Sequence, residues 1–417
     1  MLTSPKFSVG RTLKSRYLEI AAWCLMCVLA VVIPTVKIYS SLVIGVLGLV
    51  VLVNFSFKKN LSRAMVGLML MYATLLIGLL FTENEALAHK SLETKLSLIV
   101  FPVLWHFGPK HNEKWIQRVL LFFIGATIAY GVFVLGVAWN KYSVSGDASV
   151  FTYRKLANGF HPTYQAAYAC FSVGTILYWI QRNKLKNHAL LLVAALFLAS
   201  YTALLSSRAG LLSMGALVLF MLFRYSREKH TRRKIWMPAA VLGTFVLVVA
   251  FSPGSSSRLE KAVDDTLGNQ QEVARSSGNV RFVAWKSAME ILMEKPFGVG
   301  TGDVVDALQE RYIGKGEVFA AERNINAHNQ YLQNGVEHGW WGMLLLIVTC
   351  CLALLESYRL HSFLLALLVM LVGFNMLFES FLENQAGIVF FCFMLMLLSQ
   401  RFPKEKSRPL ILKKKST

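Results

Sequence analysis

Charge is what this 417-residue chain has least of. Asp, Glu, Lys and Arg make up 16% of it, and the acids number 23 against 43 Lys and Arg. With 55% hydrophobic residues and a mean hydropathy of +0.50, it has too little polar surface for a soluble protein of this size, so it reads as a polytopic membrane protein. Cysteine is scarce as well. The six (Cys24, Cys27, Cys170, Cys350, Cys351 and Cys392) all lie in apolar stretches, so no disulfide framework follows. Cys24 and Cys27 have metal-like spacing but no second ligand pair, and they read as apolar packing. The first apolar stretch, Leu18 to Ile33, lacks a small-residue cleavage pattern and reads as a membrane helix, with no cleavable signal peptide. Solenoid repeats and Pro- or Ser-rich linkers are missing too.

What is present is a series of apolar stretches. They run roughly from 18 to 33, 38 to 57, 61 to 81, 88 to 107, 115 to 139, 162 to 181, 188 to 206, 209 to 224, 235 to 251, 340 to 356, 361 to 380 and 386 to 400, and predict about 12 transmembrane helices. If both termini are cytoplasmic, most of the 43 basic residues fall on the inner side. Of the acids, only Glu19, Glu113, Glu228, Glu356 and Glu405 do. That is the positive-inside pattern, and it puts the long polar segment 252–339 outside the cytoplasm. The net charge of +20 then reflects topology and contact with anionic inner-leaflet lipid, and nucleic acid is not an expected partner. The domain plan is helices one to nine in 1–251, an external loop in 252–339, helices ten to twelve in 340–400, and a basic cytoplasmic tail in 401–417. The basic runs Arg224 to Lys234 and Lys413 to Lys415 read as solvated inner faces.

The external loop has the polar chemistry. Arg208, where the seventh and eighth helices turn at the outer face, is either a snorkelling turn residue or an anion ligand facing an external cavity. Arg281 to Lys295 predicts an amphipathic helix with Phe282, Trp285, Met289 and Leu292 as its apolar stripe, ended by Pro296. Such a helix should lie on the membrane face or on the other helices, with Arg281 beside the stripe. Gly298-Val299-Gly300-Thr301-Gly302 lacks a preceding strand and a following Lys-Ser or Lys-Thr, so it reads as turn geometry and not as a phosphate cradle. His328 is expected to begin the helix leading through Gly339 into Trp340 and Trp341, whose rings mark the bilayer interface. It should sit at head-group height with a side chain able to accept a proton near neutral pH. His161-Pro162-Thr163-Tyr164 starts the sixth helix from the same side. Lys90, Glu93 and Lys95 enter the fourth from there, and are expected to pair with each other in a cavity.

Ser207-Arg208-Ala209-Gly210, Val280-Arg281-Phe282-x-x-Trp285, Pro296-Phe297-Gly298-Val299-Gly300, Ala327-His328-Asn329-Gln330-Tyr331-Leu332 and Glu337-His338-Gly339 occur in this order. Together they resemble the O-antigen ligase and polymerase superfamily, over roughly residues 160 to 400. The resemblance implies a GT-C-like, all-α bundle with a lateral opening for lipid. It would sit as a multi-pass protein in the bacterial inner membrane, with a periplasmic loop that contains short helices and holds the active site on the periplasmic side.

The implied activity is an inverting, metal-independent glycosyl transfer without a cofactor. The donor would be an undecaprenyl-diphosphate-linked glycan and the acceptor a lipid A core sugar or another glycan, with membrane lipids as further partners. Arg208 and Arg281 match the arginines that hold the donor diphosphate, and His328 matches the histidine that activates the acceptor hydroxyl. His161, Tyr164, Lys95, Glu93, Asn329 and Tyr331 are candidate substrate-binding residues around them. Guanidinium suits this leaving group, since it stays charged and offers a planar fork of donors. The motifs are shared by ligases, repeat-unit polymerases and protein O-glycosyltransferases, and they do not name the acceptor. A twelve-helix lipid or solute transporter is the reading from another class, but such folds place the longest connection mid-chain on the cytoplasmic side.

Overall fold

A computed structural model describes residues 6–53, 61–109, 112–252 and 277–399. The tail 401–417, including Lys413 to Lys415, and the loop segment 253–276 lie outside the described residues. Among the described residues there is no β-strand. The helices before the loop are α1 (Lys6–Thr35), α2 (Ser40–Val53), α3 (Arg63–Gly78), α4 (Glu85–Lys95), α5 (Ser97–Phe107), α6 (Glu113–Ser145), α7 (Tyr153–Ala157), α8 (Pro162–Arg182), α9 (His188–Leu205), α10 (Arg208–Arg227) and α11 (Trp236–Phe251). From residue 277 follow α12 (Ser277–Glu294), α13 (Val304–Gly314), α14 (Val318–Glu322), α15 (Gln330–Leu360), α16 (Phe363–Asn375) and α17 (Gln385–Leu398).

Among the described residues, seven helical stretches are long and apolar enough to cross a membrane: Arg16–Thr35 in α1, α3 with the turn that extends it to Phe81, α6, α9, α10, α11 with the turn that begins at Arg232, and α15. The chain is a polytopic membrane protein by that measure. Helices α2, α16 and α17 are apolar but shorter. The expected fourth span, 88 to 107, is not one helix. It divides at Leu96 into the polar α4 and the apolar α5, 11 residues each, or about 16 Å apiece at 1.5 Å per residue. Neither half reaches across a hydrocarbon core of about 30 Å.

The bundle is built around α8 and α17, which are buried along nearly their whole lengths. Helix α8 carries polar residues that a lipid-facing helix would not tolerate, and its neighbours satisfy several of them. Gln165 donates to the Pro34 carbonyl of α1 at 2.9 Å, and the Tyr168 hydroxyl donates to the Ala386 carbonyl of α17 at 2.6 Å. Gly210 of α10 faces Ala166 so closely that any Cβ there would collide with it, and this brings the start of α10 against the start of α8.

The loop helices form a second, smaller core. Ala284, Ala288 and Ile291 of α12 pack with Leu308 and Tyr312 of α13, Ala320 of α14, and Leu332 and Val336 of α15. The predicted stripe on α12 is corrected here. Leu292 is buried, but Phe282 and Met289 point outward, and the packed face is Val280, Ala284, Ser287, Ala288 and Ile291. Small side chains let α12 approach α15 closely: a Cβ on Gly335 would lie 3.0 Å from Leu292.

Helix α15 is interrupted at Gly339 (φ +72°, ψ −166°). Its first half is polar and largely buried, and its second half is apolar and opens on Trp340 and Trp341. The loop 296–302 fills the break. Trp340 N–H donates to the Pro296 carbonyl at 3.1 Å, Val299 N–H to Val336 at 2.9 Å and Gly300 N–H to Glu337 at 3.1 Å. Gly298 has φ +88°, and a Cβ on it would sit 2.6 Å from the Glu337 carbonyl. The glycine run is therefore turn geometry, as expected: Val299 and Gly300 donate to α15, Gly298 to the Lys295 carbonyl and Gly302 to the Thr82 hydroxyl.

Candidate active site

The N-terminal ends of α8, α10 and α15, the outer end of α12, and the segment between α16 and α17 bring the polar groups together. Arg208 is the first residue of α10, after Ser206 (φ +47°) ends α9 in the left-handed region. The Ser207 hydroxyl lies 2.9 Å from the Thr163 hydroxyl in the first turn of α8, which ties Arg208 to His161. His161 is the residue before α8, and its ring meets the Tyr164 ring at 5.8 Å between centroids. Tyr164 in turn lies 5.0 Å from Phe381.

His328 does not begin the helix, as the sequence reading expected. Asn329 caps α15 through its side chain, accepting from Tyr331 N–H at 2.9 Å and Leu332 N–H at 3.1 Å. His328 precedes it at φ +44°, a conformation histidine adopts at some cost. Three contacts hold it there. Its N–H donates to Asn326 Oδ1 at 3.0 Å, its carbonyl accepts from Trp285 Nε1 at 3.4 Å, and its Nδ1 is 3.2 Å from Glu379 Oε1.

Glu379 is the residue that sequence reasoning missed. It follows α16 in a stretch that had been read as membrane helix to residue 380, and an ionisable residue there is itself a signal. Its segment is fixed by Gln330, whose N–H donates to the Met376 carbonyl at 2.8 Å and whose side-chain oxygen accepts from Leu382 N–H at 2.6 Å. Burial alone would raise the Glu379 carboxyl. The hydrogen bond from His328 and the charges of His328, His161 and Arg281 outweigh it, leaving the group below the usual carboxylate range. Its second oxygen is buried without a hydrogen-bond partner.

The same set of groups acts on the others. Burial pulls His161 below the ordinary imidazole value; Glu379 opposes this, while Arg154, His328 and Arg281 reinforce it. Burial also lowers Arg281, with Glu379 opposing and Arg208 reinforcing. Arg281 Nε and His161 Nδ1 are both buried without a partner. Two arginines, two histidines and one carboxylate from five separate elements thus share one electrostatic environment, with unsatisfied polar atoms among them.

The remaining predicted residues lie around this cluster. Lys95 does not pair with Lys90 or Glu93. It is buried, and Nζ lies 2.7 Å from Glu337 Oε2 and 2.9 Å from Glu383 Oε1, whereas Glu93 is exposed. Residues two apart on a helix face different sides. Gln330 Nε2 also donates to Glu383 Oε1 at 2.9 Å and to Asn334 Oδ1 at 2.7 Å. Tyr331 donates its hydroxyl to the Gly373 carbonyl at 3.0 Å. Among the described residues, no three His, Cys, Asp or Glu side chains gather as a metal ion would need.

A comparison with family models bears on the same elements. Residues 193–347 match the O-antigen ligase family. The match takes in Arg208, Arg281 and His328, and it supports the O-antigen ligase superfamily resemblance carried by the motifs. An uncharacterized protein of Haemophilus influenzae is 24% identical over 238 residues, a region that covers 54% of this chain and 59% of that protein. The O-antigen ligase match ends before Glu379, so the carboxylate that meets His328 comes from outside the matched segment.

Proposed function

We propose that the chain is an O-antigen ligase-type glycosyltransferase. It moves a glycan from an undecaprenyl-diphosphate carrier to a hydroxyl of a lipid A core sugar, at the periplasmic face of the bacterial inner membrane. The observation that carries this reading is the His328 to Glu379 pair standing beside Arg208 and Arg281. A carboxylate opposite Nδ1 keeps the proton on that nitrogen and leaves the lone pair on Nε2, the arrangement a general base needs.

The acceptor oxygen forms a bond to the anomeric carbon, on the face opposite the leaving group. The bond from that carbon to the diphosphate oxygen breaks, and the diphosphate keeps the electron pair. The hydroxyl proton passes to His328 Nε2. Arg208 and Arg281 meet the growing negative charge with fixed, always-charged donors, and Glu379 meets the imidazolium. His161 and Tyr164 face the substrate from α8, while Asn329, Tyr331 and Lys95 hold the framework. The helices form a GT-C-like membrane bundle, and the loop that carries the site lies outside the cytoplasm. No nucleotide sugar is available beyond the cytoplasm, so a lipid must carry the activated glycan.

The test is reconstitution in lipid vesicles with an undecaprenyl-diphosphate-linked glycan and, separately, lipid A core, a second lipid-linked repeat and a Ser/Thr peptide. Transfer to lipid A core is expected. Transfer to the second repeat alone would make the chain a polymerase, and transfer to the peptide alone a protein glycosyltransferase. Movement of intact lipid-linked glycan with no new linkage would sink the enzyme reading in favour of transport.

A further inference from the structure

Helix α12 has two faces of opposite character. Ala284, Ser287, Ala288, Ile291 and Leu292 are buried, and Phe282, Met289 and Met293 are exposed. Phe282, Met289 and Met293 are 65%, 40% and 68% exposed, and Phe297, just past the helix end, is 79% exposed. At 100° per residue the first three fall within a band about 40° wide. Exposed apolar stripes of this size mark a surface that meets something other than water.

The position of the stripe says what that is. Phe297 lies against Gly339, where a Cβ would come within 2.6 Å of its Cα, and the preceding Pro296 carbonyl accepts from Trp340 N–H at 3.1 Å. Trp340 and Trp341 are exposed and open the apolar half of α15. Aromatics at such a junction sit at the level where a membrane helix leaves the hydrocarbon. The stripe therefore runs continuously from α12 to the edge of the bilayer. Lys286, about 40° from the centre of the stripe, and Lys295 are both exposed beside it, where ammonium groups can reach lipid phosphates.

We propose that the Phe282, Met289, Met293 and Phe297 stripe is seated in the head-group and upper acyl layer of the loop-side leaflet. Helix α12 is then an interfacial helix on a membrane-spanning protein, and its occupant is the phospholipid surface. The seating has a consequence for the site. Arg281 and Trp285 lie to one side of the stripe, about 100° and 60° away, and Trp285 holds the His328 carbonyl. The depth of α12 thus sets Arg281 and His328 at the plane of a lipid-borne diphosphate. That consequence rests on the function proposed above; the seating itself does not.

The test uses the full chain in phosphatidylethanolamine and phosphatidylglycerol vesicles. A nitroxide is attached through p-acetylphenylalanine at Met289 or Met293, and at the exposed Glu310 of α13 as a reference. Oxygen collisions should exceed those of a water-soluble nickel chelate at 289 and 293, with the reverse at 310. Faster chelate collisions at 289 and 293 would place the stripe in water and overturn the proposal. Slow collisions of both kinds would mean that protein covers it, whether a second copy or another partner, and would overturn it equally. For the depth consequence, Met289→Ser with Met293→Ser should lower transfer at subsaturating lipid-linked donor and leave the saturated rate unchanged. Equal rates at low donor would refute that part. A wild-type chain inactive on every acceptor would remove the glycosyl-transfer reading while the collision ratios still decide the seating.

Discussion

Replacing Glu379 with Gln keeps its shape and removes its charge, which isolates what the carboxylate does for His328. At 3.2 Å from Nδ1, a carboxylate and an imidazolium attract with a gross energy of about 5 kcal/mol at an effective dielectric of about 20. Desolvation takes back much of this, and a hydrogen bond to a charged group nets about 1.5–3 kcal/mol. Because the imidazole is charged in the transition state and neutral before it, the effect falls on the rate: a loss of about 10- to 150-fold in kcat. Binding of the lipid-linked donor should barely change, since the proposed mechanism gives the diphosphate to the arginines. Single-turnover transfer in vesicles and a separate donor-binding titration measure the two quantities. The decisive form is a double-mutant cycle with His328→Gln. If Glu379 acts through His328, adding Glu379→Gln to His328→Gln should cost little more. The reasoning is refuted if the two losses multiply, or if Glu379→Gln turns over at the wild-type rate.

Four further outcomes are expected. Arg208→Ala and Arg281→Ala should each abolish transfer and weaken donor binding, with Lys restoring only part because the fork geometry is lost; a donor titration decides, and wild-type turnover in either variant removes that residue from the site. In intact cells, Glu317→Cys should react with an impermeant thiol reagent and Lys229→Cys should not, and the opposite pattern would invert the topology. Lys95→Met should destabilise the fold by about 3–5 kcal/mol, because Glu337 is left buried without its cation, which a thermal unfolding midpoint at neutral pH reads. His161 is held below its ordinary value by burial, so the unfolded chain takes up that proton first. Stability should therefore fall as pH drops below about 6.5, the unfolded imidazole value, and His161→Gln should flatten that slope; an unchanged slope would count against the burial argument.

The membrane class was legible because apolar stretches and charge asymmetry are properties of composition, which needs no tertiary contact to read. Two of the three motif residues sit beside a helix start that leaves a mark on the sequence, whereas Arg281 lies inside α12 and has no such mark. Arg208 follows a turn and precedes the close-packed Gly210, and His328 precedes the capping residue Asn329. Partners could not be read in the same way. Lys95 and Glu337 are 242 residues apart, and nothing in local spacing says which of Glu93, Glu337 or Glu383 a buried ammonium will meet. The face of α12 was misread because periodicity ranks faces by apolar bulk. Packing against the loop core instead buried Ala284, Ser287, Ala288 and Ile291 together with Leu292, and left Phe282 and Met289 outside.

Glu379 also has a place in the order of synthesis. When a ribosome has delivered α15, both arginines and His328 are already present, but the carboxylate opposite Nδ1 is not. It arrives only with the segment after α16, which Gln330 of α15 and Lys95 of the much earlier α4 then pin. On the proposed function, a partly inserted chain would hold the diphosphate-binding arginines without an oriented base, and would bind a donor before it could cleave it. The His328 to Glu379 pair is completed only near the end of the described residues.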